Sequence, residues 1–143
     1  MTTVRLPLGT FVGARSGDKG GDANVGAWVV APVESAAVGL AHGGVASLVP
    51  SDAAIALADA RYSWLKGLLT VDGVRALLPE GGDLAIEVHP LPNLRAVNVV
   101  IHGLLGRGVA ETTRVDPQAK GLGEHLRARL VDIPTELLDG GAE

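Results

Sequence analysis

Apolar and polar positions alternate most regularly in the second half of the chain. In residues 84–91, Ile86, Val88 and Pro90 point one way, and Ala85, Glu87 and His89 point the other. A period of two with one apolar side is the mark of a half-buried strand. Residues 95–105 give the strongest strand pattern, with Val97, Val99 and Ile101 on one face and Asn98 and His102 on the opposite one. Pro92-Asn93 supplies a turn between the two. Gly106-Arg107-Gly108 predicts a bend, after which VAETT continues the strand. Nearer the N-terminus, residues 4–14 read as a strand, or as a short strand after the Leu6-Pro7 kink, and residues 25–31 are β-branched and aromatic enough for another. Between them lies the polar stretch RSGDKGGDAN, residues 15–24, read as a ten-residue loop of a hairpin. Loops that long are more often functional than ordinary turns.

The period changes to that of a helix after Ser51-Asp52, an N-cap signal. Ala54, Leu57, Ala58, Arg61, Leu65, Leu68 and Leu69 form one stripe over 52–69, with Tyr62 and Trp64 on its flanks as core or interface residues. Thr70 opens a second short helix with Val74, Leu77 and Leu78 inward, ended by Pro79-Glu80-Gly81-Gly82. Asp116-Pro117 predicts a third helix to about residue 129, Asp as cap and Pro at the first position, with Leu122, Leu126 and Leu130 repeating every four residues, after which 131–134 leads into a polar tail. Residues 32–50 are small-residue-rich and read as an irregular insertion, a frayed helix or an interface arm. Residues 135–143 read as a flexible tail. The whole is one domain, 1–143: an α+β two-layer sandwich, with a four-stranded, mostly antiparallel sheet and helices packed on one face.

Composition narrows the function. The 143 residues carry 12 Lys+Arg against 16 Asp+Glu, so there is no global basic field for nucleic acid. One Tyr, one Phe and two Trp are too few for a base-stacking platform. The absence of cysteine removes disulfides, thiolate ligands and a Cys nucleophile, and fits a reducing compartment. The N-terminus lacks a signal-peptide core, and no uninterrupted apolar run reaches the length of a membrane span. A cytoplasmic protein is expected. Hydrophobic content of 47% leaves room for a homo- or hetero-oligomer that covers some of that surface.

Chemistry concentrates in RSGDKGGDAN. Its Lys is preceded by Asp and followed by Gly, which departs from a P-loop, and Asp18 and Asp22 lack the alternating oxygens of an EF-hand. Three readings stay open. Gly20 and Gly21 permit backbone N–H groups to converge on an anion, with Arg15, Lys19, Ser16 and Asn24 adding contacts. Asp18 and Asp22 are acid/base candidates or Mg²⁺ ligands. Or the charges pair internally and the loop is structural. Beyond it, His102 beside Asn98 is a candidate base or a hydrogen-bond partner for a carbonyl, or is structural, and Arg95, with Arg107 and Arg114, either completes an anion pocket or lies on the surface. No third ligand joins His89 and His102, so no metal site is assigned. His42 and His125 read as solvated. No cofactor motif is present.

The stretches ARSGDKGGDANVGAW, YSWLKGLLT with VRALLPE, and LPNLRAVNVVIHGLLGRGVAETTRVDPQAKGLGEHLRARLVDIP occur in order over most of residues 10–134. In these the chain resembles the acyclic terpene utilisation protein A (AtuA) family, in its small C-terminal ferredoxin-like domain. Residues 32–50 are longer than the tight connection of that domain. The resemblance implies a ferredoxin-like fold and a context of branched or terpenoid acid breakdown as acyl-CoA thioesters. It implies a larger AtuA-type domain as a separate chain, and so a small subunit of a two-component acyl-CoA hydratase- or lyase-like enzyme, inactive alone. The alternative is a non-catalytic assembly module that forms oligomers or holds a larger catalytic partner.

Overall fold

A computed structural model describes residues 2–30, 50–108, 110 and 112–138. The strands are β1 (Thr3–Pro7), β2 (Val12–Lys19), β3 (Asp22–Val29), β4 (Ile86–Leu91), β5 (Ala96–Ile101) and β6 (Leu130–Pro134). The helices are α1 (Asp52–Leu68), α2 (Val71–Leu77) and α3 (Leu122–Ala128). Strands β2, β3, β5 and β4 lie in that order in a four-stranded sheet, antiparallel at every join. It is two hairpins side by side, with the helices on one face, the expected two-layer arrangement. A second sheet pairs β1 with β6, Arg5 reaching Asp132 at 3.1 Å.

Local chemistry explains the helices. The Ser51 hydroxyl accepts from the Ala54 N–H and the Thr70 hydroxyl from the Gly73 N–H, capping α1 and α2 where the sequence places caps. The sheet residues Ala23, Val25, Val97, Val99 and Ile101 form one buried cluster with Leu65, Leu69, Val74, Leu122 and Leu126. Full burial of one such side chain stabilises by about 1.5–3 kcal/mol, so this layer holds the domain together. Arg61 lies inside it, 2% exposed, donating Nε–H to the Leu137 carbonyl at 2.8 Å and sitting 4.6 Å over the Phe11 ring. Phe11 also meets Trp64 edge to face, so that indole belongs to the core side.

Four expectations are corrected. Residues 15–24 are not a loop: β2 and β3 run through them, and only Gly20-Gly21 turn between the paired Lys19 and Asp22. Gly20 has φ 63°, which a two-residue hairpin turn takes at its first position without steric cost. Residues 4–14 are two strands in different sheets, split by a 3-10 turn at Leu8–Thr10. The third helix begins at Leu122, because the Asp116 carboxylate accepts from the Lys120 and Gly121 N–H groups around Ala119, at φ 53°, instead of capping a turn at Pro117. Residues 130–134 are a strand, with Leu130 half exposed and not on a helical stripe.

Two ends also shift. β5 stops at Ile101, and positive φ at Gly103, Gly106 and Gly108 turns the chain away; among the described residues of VAETT none is in a strand. Thr135–Leu137, assigned to the tail, form a 3-10 turn that buries Leu137. The insertion assigned to 32–50 falls, but for Pro50, outside the described residues, as do residues 139–143.

Candidate functional site

The pairing register arranges the sheet face away from the helices as rows. One row is Gly13, Trp28, Ala96 and Leu91; the next is Arg15, Gly26, Asn98 and His89; then Gly17, Asn24, Val100 and Glu87. Lys19 and Asp22 begin the last row, which His102 continues just past the end of β5. Rows lie about 6.8 Å apart, two residues of an antiparallel strand. The face therefore runs from an apolar end at Trp28 to a charged end at His102. The Trp28 indole packs against Gly13, where any Cβ would overlap it.

The hairpin tip is held where it brings Asp22 to His102. The Leu105 N–H donates to the Gly21 carbonyl at 2.9 Å, and a Cβ at Gly21 would overlap the Gly106 carbonyl oxygen. The paired glycines thus serve a turn and a close backbone approach. From the tip, one Asp22 oxygen accepts from the Gly103 N–H at 2.8 Å, and the other lies 3.0 Å from His102 Nδ1. His102 Nε2 lies 2.5 Å from a Glu87 oxygen, whose second oxygen is 3.7 Å from His89 Nε2. Beside this chain of groups, the Asn24 amide donates to the Asn98 carbonyl oxygen at 2.9 Å.

The electrostatics are mutually consistent. Both ring nitrogens face carboxylate oxygens, and only the imidazolium has an N–H for each. The hydrogen bonds from Glu87 and then Asp22 raise the His102 pKa above its ordinary value. The Gly103 N–H, then His102, hold the Asp22 carboxyl below the usual range. The side chains keep 41%, 33% and 51% exposure at His102, Asp22 and Glu87, so the ring is reachable from solvent. The arrangement is a histidine ring held between two carboxylates on a sheet surface that solvent reaches.

Of the candidate residues, Asp22 and His102 are brought together, with Asn24 and Asn98 as neighbours. Asp18 is left out: it pairs with Ala23, so it projects on the opposite side of β2 from Lys19 and Arg15, exposed. The Ser16 hydroxyl donates to the Lys120 carbonyl and accepts from the Gly123 N–H, fastening α3 to β2. Arg95 bonds Asp59 of α1 at 2.8 Å, at the far end of β5 from His102. Arg15 and Lys19 stand exposed on the open face, with the Lys120 ammonium reaching over the edge beside Gly17. Arg107 lies in the turn after β5 and Arg114 beyond it, half-buried. Glu87 is the member the sequence missed. Alternation placed it on a face with His89, but only the β4–β5 register carries it to His102. Among the described residues, no three His, Asp or Glu side chains are grouped to hold a metal ion.

A shallow groove of about 370 Å³ between Pro7, Gly9, Thr10 and α3 shares no residue with this cluster. The fold and the cluster define a small α+β domain with its polar chemistry on the side of the sheet that no described helix covers. The chain belongs to the AtuA ferredoxin-like domain family, whose model matches residues 6–132, and a ferredoxin-like α+β fold is consistent with the sheet and helices. No curated protein matches the chain, and no solved structure does.

Proposed function

We propose that this chain is the small subunit of a two-component enzyme that processes acyl-CoA thioesters of branched or terpenoid acids by hydration or elimination. The observation that carries the reading is the Asp22–His102–Glu87 relay on a sheet face that no described helix covers. In an addition or elimination next to a thioester carbonyl, negative charge gathers on the acyl oxygen. His102 gives that oxygen its Nε2 proton, and the N–H electron pair stays on the ring nitrogen. The ring is left neutral with its remaining proton on Nδ1, held by Asp22. Asp22 is thereby the positioning residue, itself oriented by the Gly103 N–H. A larger AtuA-type partner supplies the rest of the acyl-CoA site, and Arg15 and Lys19 are the cations that face its phosphates.

The test is to isolate the complex from native cells and measure acyl-CoA turnover with His102→Gln and Asp22→Asn chains reconstituted into it. A general acid contributes roughly 10²- to 10⁴-fold, and His102→Gln is expected to lose that much with the complex intact. Full activity in His102→Gln overturns the reading. A second reading, an assembly module without chemistry, is favoured by one observation: exposed Leu91 shares a row with Trp28 and Ala96 at the apolar end of the face. On that reading Leu91→Asp dissociates the complex, while His102→Gln leaves its turnover untouched.

A further inference from the structure

The two carboxylates on His102 are not equivalent. Asp22 is anchored: its second oxygen is taken by the Gly103 N–H at 2.8 Å, and its strand is central in the sheet. Glu87 is on the edge strand β4, its side chain is 51% exposed, and its second oxygen lies only within 3.7 Å of the exposed His89. It is one methylene longer than Asp22 and carries the freedom of an extra torsion. The Glu87 contact is the shorter of the two at 2.5 Å, but its carboxylate hangs from an exposed side chain on an edge strand and lacks a backbone N–H anchor like that of Asp22, so the Nε2 side of the ring is the side that opens.

We infer that Glu87 stands in for a substrate oxygen at His102 Nε2 and yields that position when an acyl oxygen binds. The inference rests on the reading of His102 as the proton donor. What Nε2–H takes is an acceptor oxygen, and the Glu87 carboxylate presents one in the place a substrate oxygen would occupy. A thioester carbonyl is such an acceptor without a full charge. Its arrival removes one negative charge from beside the ring, and an imidazolium that loses a carboxylate neighbour becomes a stronger acid. Glu87 therefore holds the proton on His102 while the site is empty, and substrate binding releases it for transfer. The exposed Lys19, beginning the row of Asp22 and His102, leaves the anchored carboxylate balanced when Glu87 swings away.

The experiment is nitrogen-detected NMR of the histidine rings in the full chain, titrated in separate arms with acetate and with S-ethyl thioacetate. In Glu87→Ala, both probes are expected to bind roughly fivefold more tightly than in the wild type, the size of an exposed ion pair removed from competition. The His102 Nε2 resonance moves on binding, and the empty variant shows a lower His102 pKa. Glu87→Gln, which keeps an acceptor oxygen at Nε2, falls between the two. Tightening for the thioester arm alone identifies a neutral carbonyl as the ligand, and tightening for acetate alone a carboxylate; either supports displacement. Equal or weaker binding in Glu87→Ala, or binding that leaves His102 Nε2 unmoved, overturns it. The functional reading fails separately: if His102→Gln keeps full turnover while the probes still displace Glu87, the gate stands and the proton-donor role falls.

Discussion

The two faces of the four-stranded sheet are built from the same strands by the same alternation, yet they do different work. On the helix side, Ala23, Val25, Ala27 and Val29 are all buried. On the other side of that strand, Asp22, Asn24, Gly26 and Trp28 are only half-buried. The covered face is mainly apolar contacts whose energy scales with buried area, with the Ser16 hydroxyl tying α3 to β2. The open face is specific: three glycines, two paired amides and a histidine between two carboxylates, each with a named neighbour. Stability therefore resides on one face and chemistry on the other, and substitutions are expected to separate them.

The largest effect sharpens the covered side. Leu65→Ala, at a site with no exposure, is expected to cost about 2–5 kcal/mol in chemical denaturation. His102→Gln is expected to shift the same curve far less. Equal losses would break the division of labour.

Gly21→Ala comes next, because it touches both faces. Its methyl group overlaps the Gly106 carbonyl oxygen, and backbone must move to admit it. Overpacking of this kind costs about 1–3 kcal/mol. It also draws Asp22 from His102, so the His102 pKa is expected to fall toward its ordinary value in an NMR titration. An unchanged His102 titration would show that the hairpin tip does not position the relay.

The pH dependence is smaller and belongs to the open face. His102 has a raised pKa, so its contribution to stability is complete below about 6.5, the unfolded value, and is lost as pH rises through the higher folded value. Asp22 has a lowered pKa, so its contribution is present above the ordinary carboxylate range and is lost as pH falls through the folded value. The melting-temperature gap between wild type and His102→Gln should be widest in mildly acidic buffer and close toward alkaline pH. A gap that widens with pH would mean the ring is neutral in the fold. The smallest effect is Asp18→Ala: with its side chain exposed opposite Lys19, it should leave both melting and the His102 titration unchanged.

Much of this was legible along the chain. The strands around Val88 and Val99, the caps at Ser51 and Thr70, and the shared face of Asn98 and His102 follow from local pattern, because each depends on residues within a few positions. RSGDKGGDAN misled because Gly, Asp and Lys are poor strand formers, so a loop was the local expectation. Pairing on both sides of β3, and a two-glycine turn tight enough to join the strands directly, override that weak preference. The failure at 130–134 has the same origin: Leu130 fitted the leucine spacing of α3 and 131–134 read as a lead into a polar tail, and only the partner strand β1 makes the segment extended.

By itself the sequence determined which residues are apolar, which face of the strands around Val88 and Val99 they share, where the first two helices begin, and that a conspicuous polar motif marks the family. A period of two says which side a residue faces, and nothing about what lies beside it. Asp22 reaches His102 across 80 residues of chain and Glu87 reaches it across 15. Those meetings depend on strand order and register, which turn geometry and core packing settle together. The tertiary structure alone decided that Asp22 and not Asp18 joins the histidine, and that Glu87 completes the relay.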